Sequence, residues 1–153
     1  MALKNFRFEL PFNVPFPNGL VLIGGIERRT EYKQNVPEEA RRQSTDTETG
    51  LKEWKAKVTD PSEKNAKRAS FELIFLADVQ PVPASEEIVP GTGMRMIELE
   101  GLTAEPKVMG QGEFKYLGYT YRARGIKGDN SGAKVPPADI PASRPARGDK
   151  AGA

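Results

Sequence analysis

The chain contains no cysteine and no histidine among its 153 residues. Without cysteine, disulfide bonds and thiolate chemistry are excluded. Without histidine, the chain lacks a common metal ligand, the usual general base near neutral pH and the partner that activates a catalytic serine. The sequence also shows no catalytic or metal-binding motif. We therefore expect a non-enzymatic protein that needs no cofactor.

Long apolar segments are missing as well. The first ten residues, MALKNFRFEL, lack the extended apolar run of a signal peptide. No stretch approaches the roughly 20 apolar residues of a transmembrane helix. These absences predict a cytoplasmic protein with no membrane partner.

The chain has little excess of charge of either sign. Residues 1–126 contain 18 Lys and Arg against 18 Asp and Glu, and residues 127–153 contain 5 against 3, which gives the net charge of +2. A protein with a neutral body can bind nucleic acid only through cations that cluster on one face.

Turn-forming residues are abundant, with 13 prolines and 15 glycines. They separate about five to seven short apolar or alternating runs, and no segment has a clear helical period. The sequence therefore predicts an all-β domain over residues 1–126. A small OB-like barrel is the first choice, and an immunoglobulin-like sandwich is the alternative. Residues 127–153 are rich in Gly, Ala and Pro and are predicted to form a disordered tail.

Three runs of the sequence support the prediction of strands. In the run 20–26, the pair Gly24-Gly25 predicts a bulge or bend of the kind that closes small barrels. The run 51–59 alternates, with Trp54, Ala56 and Val58 on one face. The run 67–79 is apolar on both faces, which is typical of a central strand.

The most informative stretch is Glu113 to Lys127, EFKYLGYTYRARGIK, which follows the turn 110–112 and an extended run at 94–109. Period-two alternation divides it into two faces. One face suits a core and carries Leu117, Tyr119, Tyr121 and Ala123. The other face combines aromatic rings with guanidinium groups and carries Phe114, Tyr116, Thr120, Arg122 and Arg124.

The second face suggests a nucleic-acid site. Phe114 and Tyr116 would stack bases, while Arg122 and Arg124 would hold phosphates. The alternative is that the two rings cover the second side of a barrel and the arginines extend to water. Alternation alone does not decide which face is exposed.

A second candidate group surrounds Trp54. Lys55 and Lys57 would contact phosphates beside the indole ring. Alternation places Trp54 on the opposite face from both lysines, however, so a core position is the stronger expectation for its ring.

A family resemblance rests on ordered short segments. They are FELPF (8–12), GLKEWKAKVTDP (50–61), ADVQPVP (77–83), MIELEGLTAEPKV (96–108) and YTYRARGIK (119–127). In this order they resemble a family of small actinobacterial proteins, the plasmid replication, integration and excision activators. The resemblance implies a regulatory or accessory role in the replication and excision of mobile elements, and it supplies no catalytic residue.

Two functions follow as expectations. The first is a non-enzymatic, DNA-associated accessory protein that binds single-stranded DNA through Phe114, Tyr116, Arg122 and Arg124, with Trp54, Lys55 and Lys57 as a second group. The second is a protein-interaction module that recruits a replication or recombination protein through a sheet edge or the Pro-rich loop 81–90. Edge strands also invite pairing between copies, so a homodimer is a further expectation.

Overall fold

The computed structural model describes residues 6–129 of the chain. This part is mostly β, as the sequence predicts, with two single helical turns. From residue 130 onward, the predicted tail lies outside the described residues. The strands are β1 (Phe8–Glu9), β2 (Leu20–Arg28), β3 (Glu53–Thr59), β4 (Ser70–Leu76), β5 (Arg95–Ile97), β6 (Leu99–Glu100), β7 (Thr103–Gln111), β8 (Phe114–Ala123) and β9 (Gly125–Ile126). The helical turns are a 3-10 turn (Glu38–Ala40) and α1 (Ala66–Ala69).

Seven strands form one mixed sheet in the order β1-β7-β8-β4-β3-β2-β5. All neighbours are antiparallel except β4 and β8, which run parallel through the pairs Ile74↔Arg122 and Phe75↔Ala123. Within the described residues the end strands β1 and β5 do not pair with each other, and the sheet is not closed into a barrel. Neither the OB-like barrel nor the immunoglobulin-like sandwich is confirmed.

A two-stranded sheet of β6 and β9 connects two strands that are not neighbours in the large sheet. β6 follows β5 after one residue, and β9 follows β8 after one residue. β5 is an edge strand of the large sheet and β8 an interior strand. Their continuations are therefore joined by the pairs Leu99↔Ile126 and Glu100↔Gly125. The bulge predicted at the glycine pair is confirmed, because the β2–β3 register shifts between Ile23 and Glu27 and Gly24 has a φ of 78°.

The core lies on one face of the sheet, here called the core face, which carries Trp54, Ala56 and Val58 on β3. All three are buried, as alternation predicts. The opposite face, here called the outer face, carries Lys55 and Lys57. Apolar side chains from the other elements complete the core, among them Phe16, Leu20, Leu22, Leu73, Phe75, Ile97, Leu102, Ala123 and Ile126.

The run 67–79 contains the predicted central strand, β4, but its beginning is helical. The Asn65 side chain accepts a hydrogen bond from the Lys67 main-chain N–H at 3.0 Å and caps α1. The strand then begins at Ser70, and its Leu73 and Phe75 side chains are fully buried. Among residues 6–129, no helix has the length and hydropathy needed to span a membrane.

The prediction that one face of β8 lies in the core is only half correct. Tyr121 packs against the core and Ala123 lies within it. Leu117, by contrast, is 62% exposed and Tyr119 is 38% exposed. The alternation is right, but β7 and β8 extend beyond the part of the sheet that the core covers.

Candidate nucleic-acid interface

The predicted hairpin is present and is formed by β7 and β8. Nine residue pairs join the two strands, from Thr103↔Arg122 to Gln111↔Phe114. The two-residue turn has Gly112 at its first central position with a φ of 58°, where a type II′ turn requires glycine. At Gly110, whose φ is 91°, an added Cβ would collide with the Phe114 carbonyl oxygen. The glycines therefore fix the position of Phe114 at the start of β8.

Phe114 and Tyr116 lie on the outer face near this turn. The Phe114 side chain is 86% exposed, and Tyr116 is half-buried. The Arg68 guanidinium carbon lies 4.2 Å from the centre of the Tyr116 ring, within the range of a cation–π contact. Lys107, also exposed, lies across from Gly118 on the same face. We call Phe114, Tyr116, Arg68 and Lys107 the hairpin patch.

A packing contact keeps the patch together. Met109 lies across from Tyr116, and its side chain occupies the space where Gly118 would carry a Cβ. The thioether thus covers the glycine beside the Tyr116 ring. Because Arg68 comes from α1, the hairpin patch joins two elements that are far apart in the sequence.

Arg122 lies on the same face but at the other end of the hairpin, where it is already paired. Its Nη1 donates to Glu105 Oε1 at 2.7 Å, and its side chain is 14% exposed. Its Nε is buried without a hydrogen-bond partner in the described part of the chain. The carboxylate of Glu105 thus occupies the position that a phosphate was expected to take.

A buried ion pair lies next to Arg122. Arg7 donates to both carboxylate oxygens of Asp46, at 3.1 and 2.7 Å, and its Nε lies 4.0 Å from Glu105 and 3.1 Å from Glu48. This region holds two arginines and three carboxylates. The excess of negative charge disfavours a phosphate here.

Asp46 is the most constrained carboxylate of this network. Burial alone would raise its pKa, but hydrogen bonds from Arg7 and Thr49, together with the charge of Arg7, lower the pKa to about 2. The pKa of Arg7 is raised, chiefly by its hydrogen bond to Asp46. The pair ties the segment before β3 to the residue that precedes β1, a structural role that the sequence did not reveal.

The remaining predicted residues are dispersed. Trp54 is in the core, where its Nε1 donates to the Ala77 carbonyl at 2.8 Å. Lys55 and Lys57 are on the outer face of β3, two strand spacings or about 10 Å from β8. Arg124 follows β8 and lines a separate groove of about 1000 Å³, with its stem packed over Gly101. The structure brings together Phe114 and Tyr116 but not the arginines and lysines predicted with them.

The two cations of the hairpin patch were missed for different reasons. Arg68 precedes β4, and its contact with Tyr116 depends on the parallel pairing of β4 with β8. No local pattern encodes that pairing. Lys107 could have been found, because a two-residue turn at 112–113 places it on the same face as Tyr116.

The comparisons with known proteins give no family to which the chain can be assigned. No family model, no curated protein and no solved structure matches it. The geometry of the described residues is therefore the ground for a functional proposal.

Proposed function

We propose that this chain is a non-enzymatic, DNA-associated accessory protein that binds single-stranded DNA through the hairpin patch. The observation that supports it is the exposed Phe114 ring beside Tyr116, with Arg68 and Lys107 on the same face. Exposed rings and cations in one row are what single-strand binding requires, because bases stack on the rings and phosphates approach the cations. The bases of a duplex are already stacked on one another, so an exposed ring adds little to the free energy of duplex binding.

The patch predicts moderate, salt-dependent affinity. If Arg68 and Lys107 each neutralise one phosphate, the logarithm of the binding constant falls with the logarithm of the salt concentration at a slope of about −1.4. A ring that stacks one base contributes about 1–3 kcal/mol, so Phe114→Ala should weaken binding by about 5- to 150-fold. The neutral charge of residues 1–126 supports only a weak long-range attraction.

Fluorescence anisotropy of labelled single- and double-stranded oligonucleotides tests this proposal. The wild type is compared with F114A and with V108A at low and moderate salt. Val108 is a matched control because it is on the same hairpin, is 71% exposed and lies on the opposite face. We expect F114A to lose single-strand affinity and V108A to keep it.

Two further variants locate the phosphate contacts. R68A should weaken binding and reduce the salt slope, while K57A, on the outer face of β3, should change neither. Equal losses of affinity in R68A and K57A would show that phosphates contact the whole outer face. Absence of single-strand binding by the wild type at low salt would refute the proposal.

We place this activity in the cytoplasm, in the replication or excision of a mobile element. The support for that role is the resemblance of the ordered segments between residues 8 and 127 to the plasmid activator family. An OB-like architecture belongs to the same proposal. The β6–β9 ladder supports it, because it links the residues that follow β5, an edge strand, to those that follow β8, an interior strand.

A protein-interaction module is the second candidate. The core-face side of the hairpin exposes Val108, Leu117 and Tyr119, and Phe6 is exposed just before β1. The loop after β4 exposes Val79, Val82, Ile88 and Val89. These apolar side chains support contact with a replication or recombination protein. A wild type that binds no oligonucleotide but binds a purified replication initiator or recombinase, and loses that binding in L117K, would favour this function.

A further inference from the structure

Two carboxylates flank Thr120 on the outer face of the sheet. Glu105 lies directly across from Thr120 on β7. On the other side, the pair Ile74↔Arg122 aligns β4 with β8, and two residues before that pair Glu72 is level with Thr120. We call Glu105, Thr120 and Glu72 the acidic row.

The alignment of Glu72 with Thr120 has independent support. Arg68 and Tyr116 each lie four residues earlier on their strands, and the Arg68 guanidinium contacts the Tyr116 ring. Glu72 also pairs with Lys57 on β3, so its side chain is on the outer face. The acidic row therefore borders the hairpin patch on the same face of the sheet.

Neighbouring arginines do not cancel the negative charge of the acidic row. Glu105 belongs to the network in which two arginines face three carboxylates. The Glu72 side chain is 55% exposed, and Arg29 lies 3.8 Å from it but only 2.7 Å from Glu53. Lys57 is on the side of Glu72 that faces away from the hairpin patch. A phosphate that approaches this row from the patch would therefore be repelled.

The two rings of the hairpin patch set the direction of a bound strand. Phe114 and Tyr116 are two residues apart on β8, which separates them by about 7 Å along the strand. Bases that stack on both rings direct the nucleic acid along β8, toward the acidic row. In the other direction the patch ends where the hairpin turns at Gly112 and Glu113. The surface available to a bound strand is thus limited at both ends.

We propose that the acidic row ends the path of the nucleic acid, so that the site takes at most about four nucleotides. This inference rests on the proposed single-strand binding by the hairpin patch. The available surface extends from Phe114 to Gly118, which is about 14 Å of strand. Nucleotides stacked at about 3.4 Å each fill this length with about four, and extended nucleotides fill it with fewer. Glu72 therefore determines the length of single strand that the protein recognises.

Competition with a series of unlabelled oligothymidylates, from about two to about twelve nucleotides long, measures the site size by fluorescence anisotropy. We expect the wild-type affinity to rise up to about four nucleotides. For longer oligonucleotides it should increase only in proportion to the number of equivalent positions at which the protein can bind. An affinity that rises steeply over the whole series would overturn the proposal.

Glu72→Lys tests the role of the acidic row directly. It connects Arg68 to Lys57 by a continuous line of cations, so a third phosphate can be neutralised. With the longest oligonucleotide, the salt slope should steepen from about −1.4 to about −2.1, and binding should tighten by up to about fivefold. An oligonucleotide that just fills the wild-type site should show neither change.

Glu86→Lys is the matched control. It changes the net charge by the same amount, but Glu86 is exposed in the loop beside β5, at the far edge of the sheet. Glu72→Gln is a second test that places no new ammonium group near Lys57, and it applies even if Glu72→Lys does not fold. Glu72→Gln should bind the longest oligonucleotide more tightly than the wild type does, whereas Glu86→Lys should not.

The possible failures can be told apart. Equal effects of Glu72→Lys and Glu86→Lys would overturn the inference, because they would reflect net charge alone. An unchanged affinity of Glu72→Gln for the longest oligonucleotide would also overturn it. A wild type that binds no oligonucleotide of any length would instead refute the proposed function on which the inference rests.

Discussion

Replacing Asp46 with asparagine should reveal how strongly the buried ion pair stabilises the fold. Asp46 accepts two hydrogen bonds from Arg7 and two from Thr49. Holding the pKa of Asp46 at about 2 instead of 3.8 means that folding favours the carboxylate by about 2 kcal/mol. D46N keeps the shape of the side chain but removes this charge, so we expect a loss of about 2 kcal/mol in the free energy of unfolding at neutral pH.

The pH dependence of the effect has a definite sign. Because the folded state has the lower pKa, the stabilisation is present above the ordinary pKa of 3.8 and is lost as the pH falls toward about 2. Urea unfolding of the wild type and D46N at several pH values measures the difference between them. That difference should shrink by about 2 kcal/mol between pH 7 and pH 2.

Glu48→Gln is a matched control. Glu48 also pairs with Arg7, at 3.1 Å, but its side chain is 55% exposed. A surface pair of this kind contributes about 0–1 kcal/mol. D46N must lower the free energy of unfolding by more than E48Q does, and its difference in stability from the wild type must change with pH. If either condition fails, the reasoning about burial and pairing is refuted.

Three further changes test individual contacts. Trp54→Phe removes the indole hydrogen bond to the main chain and should lower the free energy of unfolding by about 1 kcal/mol without changing oligonucleotide affinity. Arg122→Ala removes the hydrogen-bonded partner of the Glu105 carboxylate and leaves it only the more distant Arg7, so urea unfolding should show a loss of stability while anisotropy shows unchanged DNA binding. A large loss of affinity would contradict the assignment of Arg122 to the ion network. Gly118→Ala should destabilise the hairpin by about 1–3 kcal/mol, because its Cβ would occupy the space of the Met109 side chain. Met109→Ala in the same chain should recover most of that loss in thermal unfolding, and no recovery would show that another contact is responsible.

Sequence patterns predicted the elements that depend on residues close together in the chain. The turn glycines and period-two alternation predicted the last hairpin, and the glycine pair in β2 predicted a bulge. The doubly apolar run at 67–79 predicted a central strand. Each of these features depends on steric or hydrophobic preferences of residues close in sequence.

The features that were missed depend on contacts between distant residues. Arg122 was predicted to be available to DNA, but Glu105 pairs with it from the neighbouring strand. Leu117 has the alternation of a core residue, yet no element among residues 6–129 covers it. The aromatic half of the site could be predicted because β8 alone encodes it, whereas Arg68 reaches Tyr116 only through the order of strands in the sheet.

The short parallel ladder between β4 and β8 has a consequence for the order of folding. β2, β3 and β4 pair antiparallel along residues 20–76, and β7 and β8 pair across a two-residue turn. Each unit closes a comparatively short loop, while the pairs Ile74↔Arg122 and Phe75↔Ala123 must close a long one. We therefore expect the two antiparallel units to form early and their joint to form late. Substitutions at Phe75 or Ala123 should accelerate unfolding more than they slow folding.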